Sequence, residues 1–278
     1  MGKIKGVYEW AEKSYNIDIG CPNGCRYCYA RSNANRFGYK KWEDWTNWEA
    51  REGKELKRWR MPKKIMIPST HDIHEGNIDR IRIAIMNMIN DGCEVLIVTK
   101  PRLNCIRKII DDYSGTGIHS ERRKKITFRF TIGSAKPMVL DFWEPNAPDY
   151  FERKQALKLA FNNDFNTSVS IEPYLDASVP WLIKEIQEFV TDTIWIGKMN
   201  DIEKRVLPFI DLNKIDENTG QSPRSFINIV KINQTDEKVM KLYSRFNHHP
   251  KIRWKDSIQE VLKRNGVDIN GSKNSMEG

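Results

Sequence analysis

Three cysteines fall within eight residues near the N-terminus, in Cys21-Pro22-Asn23-Gly24-Cys25-Arg26-Tyr27-Cys28. This C-x3-C-x2-C spacing is too tight for the thiols to pair off as disulfides. They can instead converge on one soft metal centre, with the proline and glycine letting the loop curl around it. A structural zinc site is normally closed by four ligands in paired short spacings. No fourth Cys or His lies at such a spacing here, the nearest being His71 and His74. Three ligands leave one corner open, and on a cubane iron–sulfur cluster that frees one iron to bind a substrate or cofactor. The competing reading is a small zinc or packing cluster, but thiols crowded this closely are poor core residues and good ligands.

The rest of the chain alternates in period. Ser14–Gly20 reads as a short strand leading into the cysteine loop. It is followed by strands at Lys64–Pro68, Glu94–Lys100, Ile126–Ile132, Thr167–Ile171 and Thr193–Gly197. Helical periodicity runs through Asp79–Asp91, Leu103–Tyr113, Asp149–Phe161 and Val179–Val190. Strands separated by helical crossovers predict a parallel sheet of six βα units, with right-handed connections. Beyond Asn200 the pattern weakens. Asn213–Arg224 reads as loop, Asp236–Phe246 and Asp256–Lys263 as helices, and 270–278 as a disordered tail. The expected organisation is therefore an α/β barrel over 1–210, an extension over 211–269 that closes the barrel edge, and the tail. Trp42, Trp45 and Trp48 recur at i, i+3 and i+6 and predict a helix packed on the barrel rim. An exposed surface that stacks nucleic-acid bases is the alternative.

In parallel α/β sheets ligands sit at the carboxyl ends of the strands. Those ends are polar here: Ser69-Thr70-His71-Asp72, Thr99-Lys100-Pro101, Thr131-Ile132-Gly133-Ser134, Glu172-Pro173-Tyr174 and Lys198-Met199-Asn200. An acidic or carbonyl-rich strand end can accept from an amino group, and a lysine can pair with a carboxylate. Asp72 and Lys100 are the candidates for an amino-acid-bearing cofactor, with Thr131 or Ser134 for hydroxyls. Helix capping by Asp72 and snorkelling by Lys100 are the structural alternatives.

The chain of 278 residues carries a net charge of +9 and a pI of about 9.2. Basic runs at Lys57–Lys64 and Arg122–Lys125 favour a polyanionic partner such as nucleic acid, or an ordinary solvated surface. No stretch of 18 apolar residues is present and the N-terminus has no apolar signal region. Cys93 and Cys105 sit in apolar surroundings as expected free thiols, so a reducing cytoplasm is the expected location.

The strand, cysteine loop and helix, with Tyr27 before the third cysteine, resemble the cofactor-binding motif of the radical S-adenosylmethionine superfamily. The Cys28-Tyr29-Ala30, Thr70-His71-Asp72-Ile73 and Val98-Thr99-Lys100-Pro101 segments are similar to its spore photoproduct lyase-like branch and to phage Gp37/Gp68-like relatives. So are Trp143–Pro148 with Arg153, and Ile171–Leu175. The likeness spans about residues 14–200 and is most specific at the cysteines.

The resemblance implies a partial (β/α)6 barrel with a helical C-terminal extension. It implies a [4Fe-4S] cluster on Cys21, Cys25 and Cys28, and S-adenosylmethionine on the open iron. One electron from a flavodoxin- or ferredoxin-like donor would cleave that cofactor to a 5′-deoxyadenosyl radical, which abstracts hydrogen from a substrate, with nucleic acid the first expectation. By the same likeness Tyr27 and Tyr29 flank the cofactor, Asp72 with His71 binds its amino end, Lys100 its carboxylate and Thr131 its ribose. Tyr174 faces the substrate, and Tyr29 and Tyr174 are the candidate hydrogen donors. One departure matters. The lyases carry Cys-Thr-Ser-Asp where this chain has Ser69-Thr70-His71-Asp72, and a serine O–H bond is too strong to replace the thiol as hydrogen donor. The rival readings are a non-catalytic iron–sulfur or zinc protein that binds nucleic acid, and a partner subunit of a phage or mobile-element system.

Overall fold

The computed structural model describes residues 6–267. Its centre is a seven-stranded, wholly parallel half-barrel sheet in the order β1-β4-β5-β6-β7-β8-β9. The strands are β1 (Lys13–Ser14), β4 (Lys64–Ile67), β5 (Glu94–Thr99), β6 (Ile126–Thr131), β7 (Asn166–Ile171), β8 (Ile194–Ile196) and β9 (Ile252–Trp254). A separate antiparallel ribbon pairs β2 (Asp18–Ile19) with β3 (Glu49–Ala50). The central strands are rich in β-branched residues and almost wholly buried because both of their faces are covered, as in a parallel sheet.

Helices α2 (Ile78–Asn90), α3 (Leu103–Asp111), α4 (Ile118–Lys124), α6 (Tyr150–Asn162) and α7 (Val179–Ile186) serve as crossovers. In α2 the apolar residues Ile78, Ile81, Ile85, Met88 and Ile89 share one stripe, and all are buried. Asp149 caps α6 by accepting from the Glu152 N–H at 2.8 Å. The remaining helices are α1 (Tyr29–Arg36) after the cysteine loop, α5 (Pro137–Trp143) after β6, α8 (Ile202–Arg205), and then α9 (Pro223–Asn233), α10 (Asp236–Phe246) and α11 (Asp256–Arg264) in the C-terminal part.

Four expectations need correction. The Ser14–Gly20 strand is split: only its first residue belongs to the sheet, and Asp18–Ile19 turns away to pair with β3. The C-terminal extension contributes β9 to the sheet as well as helices. Asn213–Arg224 is loop only up to Ser222, whose hydroxyl caps α9 with Pro223 in its first turn. The tryptophan stretch is not a helix but a short 3-10 turn over Glu43–Thr46. Packing still accounts for it. Trp42 and Trp45 are buried. Trp42 stacks on Phe209 with ring centroids 3.8 Å apart and lies 4.0 Å beneath the Arg31 guanidinium. The proposed tail 270–278 lies outside the described residues.

The two sheet edges are brought together at the termini. Lys255, directly after β9, pairs with Glu9 and reaches the Gly6 carbonyl at 3.3 Å. Inside the half-barrel, Arg129 of β6 lies between Trp10 and Trp195, 4.8 and 5.5 Å from their rings. Among the described residues no helix is long and apolar enough to cross a membrane.

Candidate active site

A cavity of about 540 Å³ opens over the carboxyl ends of β4–β9, a size ordinary for small-molecule sites. Cys21, Cys25 and Cys28 line it together with Tyr27, Tyr29, His71, Asp72, Lys100 and Thr131. The topology thus gathers residues from eight separate segments at one mouth.

The cysteine loop is held by backbone. The Cys21 N–H donates to the Trp45 carbonyl at 2.9 Å. At the preceding Gly20, with φ +88°, an added Cβ would stand 2.7 Å from that same oxygen. Cys28 caps α1, its sulfur accepting from the Arg31 N–H at 3.4 Å, and Arg31 Nη1 reaches the Gly24 carbonyl at 3.2 Å. Burial pushes all three thiols up, Cys25 to about 12. They are neutral thiols unless a cationic centre offsets that cost, and a coordinating metal does so outright. Among the described residues no group of three or more His, Cys, Asp or Glu is arranged to hold a metal ion. What fits a cluster is the donor set: three thiols on one cavity wall, two of them receiving backbone N–H bonds.

Asp72 is a structural pin. Its carboxylate accepts from Asn23 Nδ2 at 2.8 Å, the Ile73 N–H at 2.8 Å and the Lys100 N–H at 3.1 Å, and from the Thr99 hydroxyl. It therefore ties the cysteine loop to the end of β5, with little capacity left for a cofactor's amino group. His71 is engaged too. Its Nε2 accepts from the Ile17 and Asp18 N–H groups at 3.1 and 3.3 Å, so the proton belongs on Nδ1, which faces the Asp72 carbonyl at 3.1 Å. Burial lowers its pKa, consistent with a neutral ring.

Lys100 is available. Among the described residues its ammonium pairs with Glu144 alone, at 4.0 Å, and it sits 5.5 Å from the Tyr27 ring. Burial works against its charge, but the surrounding anionic groups, the Glu144 and Asp72 carboxylates among them, outweigh this and hold it well above the usual lysine range. The Tyr27 hydroxyl is committed to Glu144, whose other oxygen pairs with the fully buried Arg153. Arg153 also donates to the carbonyls of Pro148 at 2.8 Å and Thr131 at 3.1 Å. The Arg153–Glu144–Tyr27 relay was not read as a site from sequence, although both charged residues lay in segments singled out there.

Tyr29 sits at the cavity rim, 38% exposed, its hydroxyl donating to the Ser69 carbonyl at 2.6 Å. Two candidates are elsewhere. Ser134 is buried, donates to Asp176 at 2.8 Å and does not line the cavity. Tyr174 is also buried away from it, its hydroxyl donating to the Asn233 carbonyl at 3.1 Å. A substrate-facing role for Tyr174 and a ribose-binding role for Ser134 have no support in this placement. Both basic runs also miss the site. Lys57–Lys64 ends at the first residue of β4 and Arg122–Lys125 directly precedes β6, so both lie at the opposite ends of the strands. Arg58 is tied to Asp91, and Lys63 lies 3.7 Å from Glu12.

The half-barrel fold is shared with spore photoproduct lyase and with SuiB. Among solved structures, spore photoproduct lyase complexed with dinucleoside spore photoproduct superposes with a TM-score of 0.54 at 16% identity, covering 91% of this chain and 78% of that one. A variant of the lyase with bound AdoMet gives 0.52 at 15% identity, over 86% and 74%. Streptococcus suis SuiB bound to precursor peptide SuiA gives 0.51 at 10% identity, over 91% of this chain and 50% of that one. No protein-family model matches the chain. Of curated proteins, the uncharacterized protein MJ0683 of Methanocaldococcus jannaschii is 25% identical over 178 residues, a match spanning 63% of this chain and 65% of that protein.

Proposed function

We propose that this protein is a radical S-adenosylmethionine enzyme. The observation that carries the reading is the cavity itself. Three thiols and a lysine whose 4.0 Å carboxylate neighbour, Glu144, is shared with Arg153 meet at one mouth of a half-barrel whose fold is shared with enzymes of that class. Cys21, Cys25 and Cys28 would hold a [4Fe-4S] cluster, and Lys100 would take the carboxylate of S-adenosylmethionine, with Thr131 beside it. When bound, cluster and cofactor supply reductive C5′–S cleavage and a hydrogen-abstracting radical. The protein's own part is orientation and exclusion of water. Asp72 fixes the cysteine loop against β5, and Glu144 with Arg153 immobilises the Tyr27 ring beside Lys100. The electron would come from a flavodoxin- or ferredoxin-like donor.

Nucleic acid is the preferred substrate. A groove of about 430 Å³ adjoins the mouth through Arg205 and carries Arg36 and Lys204, both exposed. The groove also carries Asp201, 3.3 Å from Arg205, so Arg36 and Lys204, rather than the basic runs, are the cations that would meet phosphates. Ser69 stands where the lyases carry a cysteine, so repair of thymine lesions by the lyase route is not proposed.

Anaerobic reconstitution tests the reading. One cluster per chain and release of 5′-deoxyadenosine are expected, and alanine at Cys21, Cys25 or Cys28 should abolish both. Iron content near zero, or zinc with four protein ligands, would sink it in favour of a non-catalytic metal or partner protein.

A further inference from the structure

Trp42 and Trp45 are buried and cannot stack a base, but other aromatic rings stand free. Helix α1 ends in a turn that holds two of them out to solvent. The Phe37 N–H donates to the Asn33 carbonyl at 2.9 Å, the Gly38 N–H to that of Asn35 at 3.2 Å and the Tyr39 N–H to that of Ala34 at 3.2 Å. Gly38 supplies the φ of +74° that the turn requires. Phe37 is 68% exposed and Tyr39 58%. The Arg36 guanidinium lies 5.3 Å from the Phe37 ring. One exposed ring needs no explanation. Two within three residues, on a turn pinned by its own backbone, form a surface.

That surface borders cations and the cavity mouth. Arg36, Lys204 and Arg205 line the groove beside the mouth, and Arg205 and Tyr29 line the mouth itself. Tyr29 begins α1 and is within electrostatic reach of both Tyr39 and Arg205. Its ring is fixed, because its hydroxyl is bonded to the Ser69 carbonyl. The carboxylate of the groove, Asp201, is taken up by Arg205 at 3.3 Å. Among the described residues neither Arg36 nor Lys204 is ion-paired. Rings and cations therefore accompany one another along α1, whose eight residues span about 12 Å.

We propose that this rim is a binding track for single-stranded nucleic acid, with bases stacked on Phe37 and Tyr39 and phosphates held by Arg36 and Lys204. It rests on nucleic acid being the substrate and narrows that reading to a single strand. A base has a flat face that an exposed ring can cover, and its phosphate brings the negative charge that the unpaired cations lack. In a duplex those faces are already stacked on one another, so only a strand with free bases can use the rings. Tyr29 then lies where the strand enters the cavity.

The test is a fluorescence-anisotropy titration of the full chain with a labelled oligothymidylate at several salt concentrations, which needs neither cluster nor cofactor. The single strand is expected to bind at low salt, and more tightly than its duplex with oligoadenylate. Phe37→Ala and Tyr39→Ala should each weaken binding by about five- to 150-fold with the salt slope unchanged. Tyr39→Phe, which keeps the ring, should bind as the wild type does. Arg36→Gln and Lys204→Gln should each flatten the salt slope by about 0.7. All four side chains are at the surface, so the variants should keep the wild-type denaturation midpoint. Unchanged affinity in the ring variants, or equal affinity for the duplex, would overturn the track while leaving nucleic acid as the substrate. Equal affinity for an oligoglutamate would overturn it in favour of an acidic peptide. No binding at low salt would overturn it together with the nucleic-acid reading, while release of 5′-deoxyadenosine, assayed separately, decides the enzyme class.

Discussion

The two halves of the cavity are built on opposite terms. Over β4, β5 and β6, beside the thiols, the buried polar groups are largely satisfied. Asp72 is surrounded by donors, the His71 ring is bonded on both nitrogens, and Glu144 is shared between Arg153 and Tyr27. Over β7, β8 and β9 the wall holds Glu172, whose Oε2 makes no hydrogen bond and meets Lys255 only at 4.0 Å, and a lysine, Lys198, whose pKa burial lowers. The difference teaches which half is framework and which is meant to be completed by something else. A satisfied buried network rigidifies, while a buried polar atom left open costs free energy until a ligand meets it.

The largest effect should come from opening the framework half. Glu144→Ala strands the Arg153 guanidinium in the core and should destabilise the protein by about 3–5 kcal/mol, read from its denaturation midpoint. Glu172→Gln, on the open half, should change the same midpoint by less than about 1 kcal/mol. Equal losses would erase the contrast between the halves. Next in size, Lys100→Ala should weaken S-adenosylmethionine binding by about 1.5–3 kcal/mol while leaving the iron content intact. Calorimetry showing unchanged affinity would place Lys100 in the framework as a counter-ion of Glu144.

The strands β5 and β6 were legible as short runs rich in β-branched and apolar residues, and the amphipathic α2 because its buried residues recur every third or fourth position. The three cysteines were legible because their spacing is local. What was not legible depends on distance. Whether the hydroxyl of Tyr174 points into a cavity or at the Asn233 carbonyl is decided by α9, 59 residues later in the chain. The three residues of β9 carry too short a pattern to be distinguished from loop. Asp72 and Lys100 read as equivalent ligands because charge is visible in a sequence, whereas the donors that saturate Asp72 come from its own neighbour Ile73 and from two other segments of chain, the cysteine loop and the end of β5. The basic runs were legible only as charge that favours a polyanionic partner. Their composition is evident, but which end of a strand they occupy emerges only from the topology.

The cysteine loop is finished by residues that arrive late. Arg26, between the second and third cysteines, pairs with Asp216, and its guanidinium lies 4.4 Å from the Phe142 ring, which stacks on Phe226. Trp42 waits for Phe209. During synthesis the thiols emerge from the ribosome early, but their surroundings stay incomplete until nearly two hundred further residues have followed. Because domains settle as units once their long-range partners are present, iron loading, on the proposed function, would follow translation. Nascent chains would expose three sulfurs for the interval, and the yield of cluster-bearing protein would then depend on how fast the C-terminal third is made and docked.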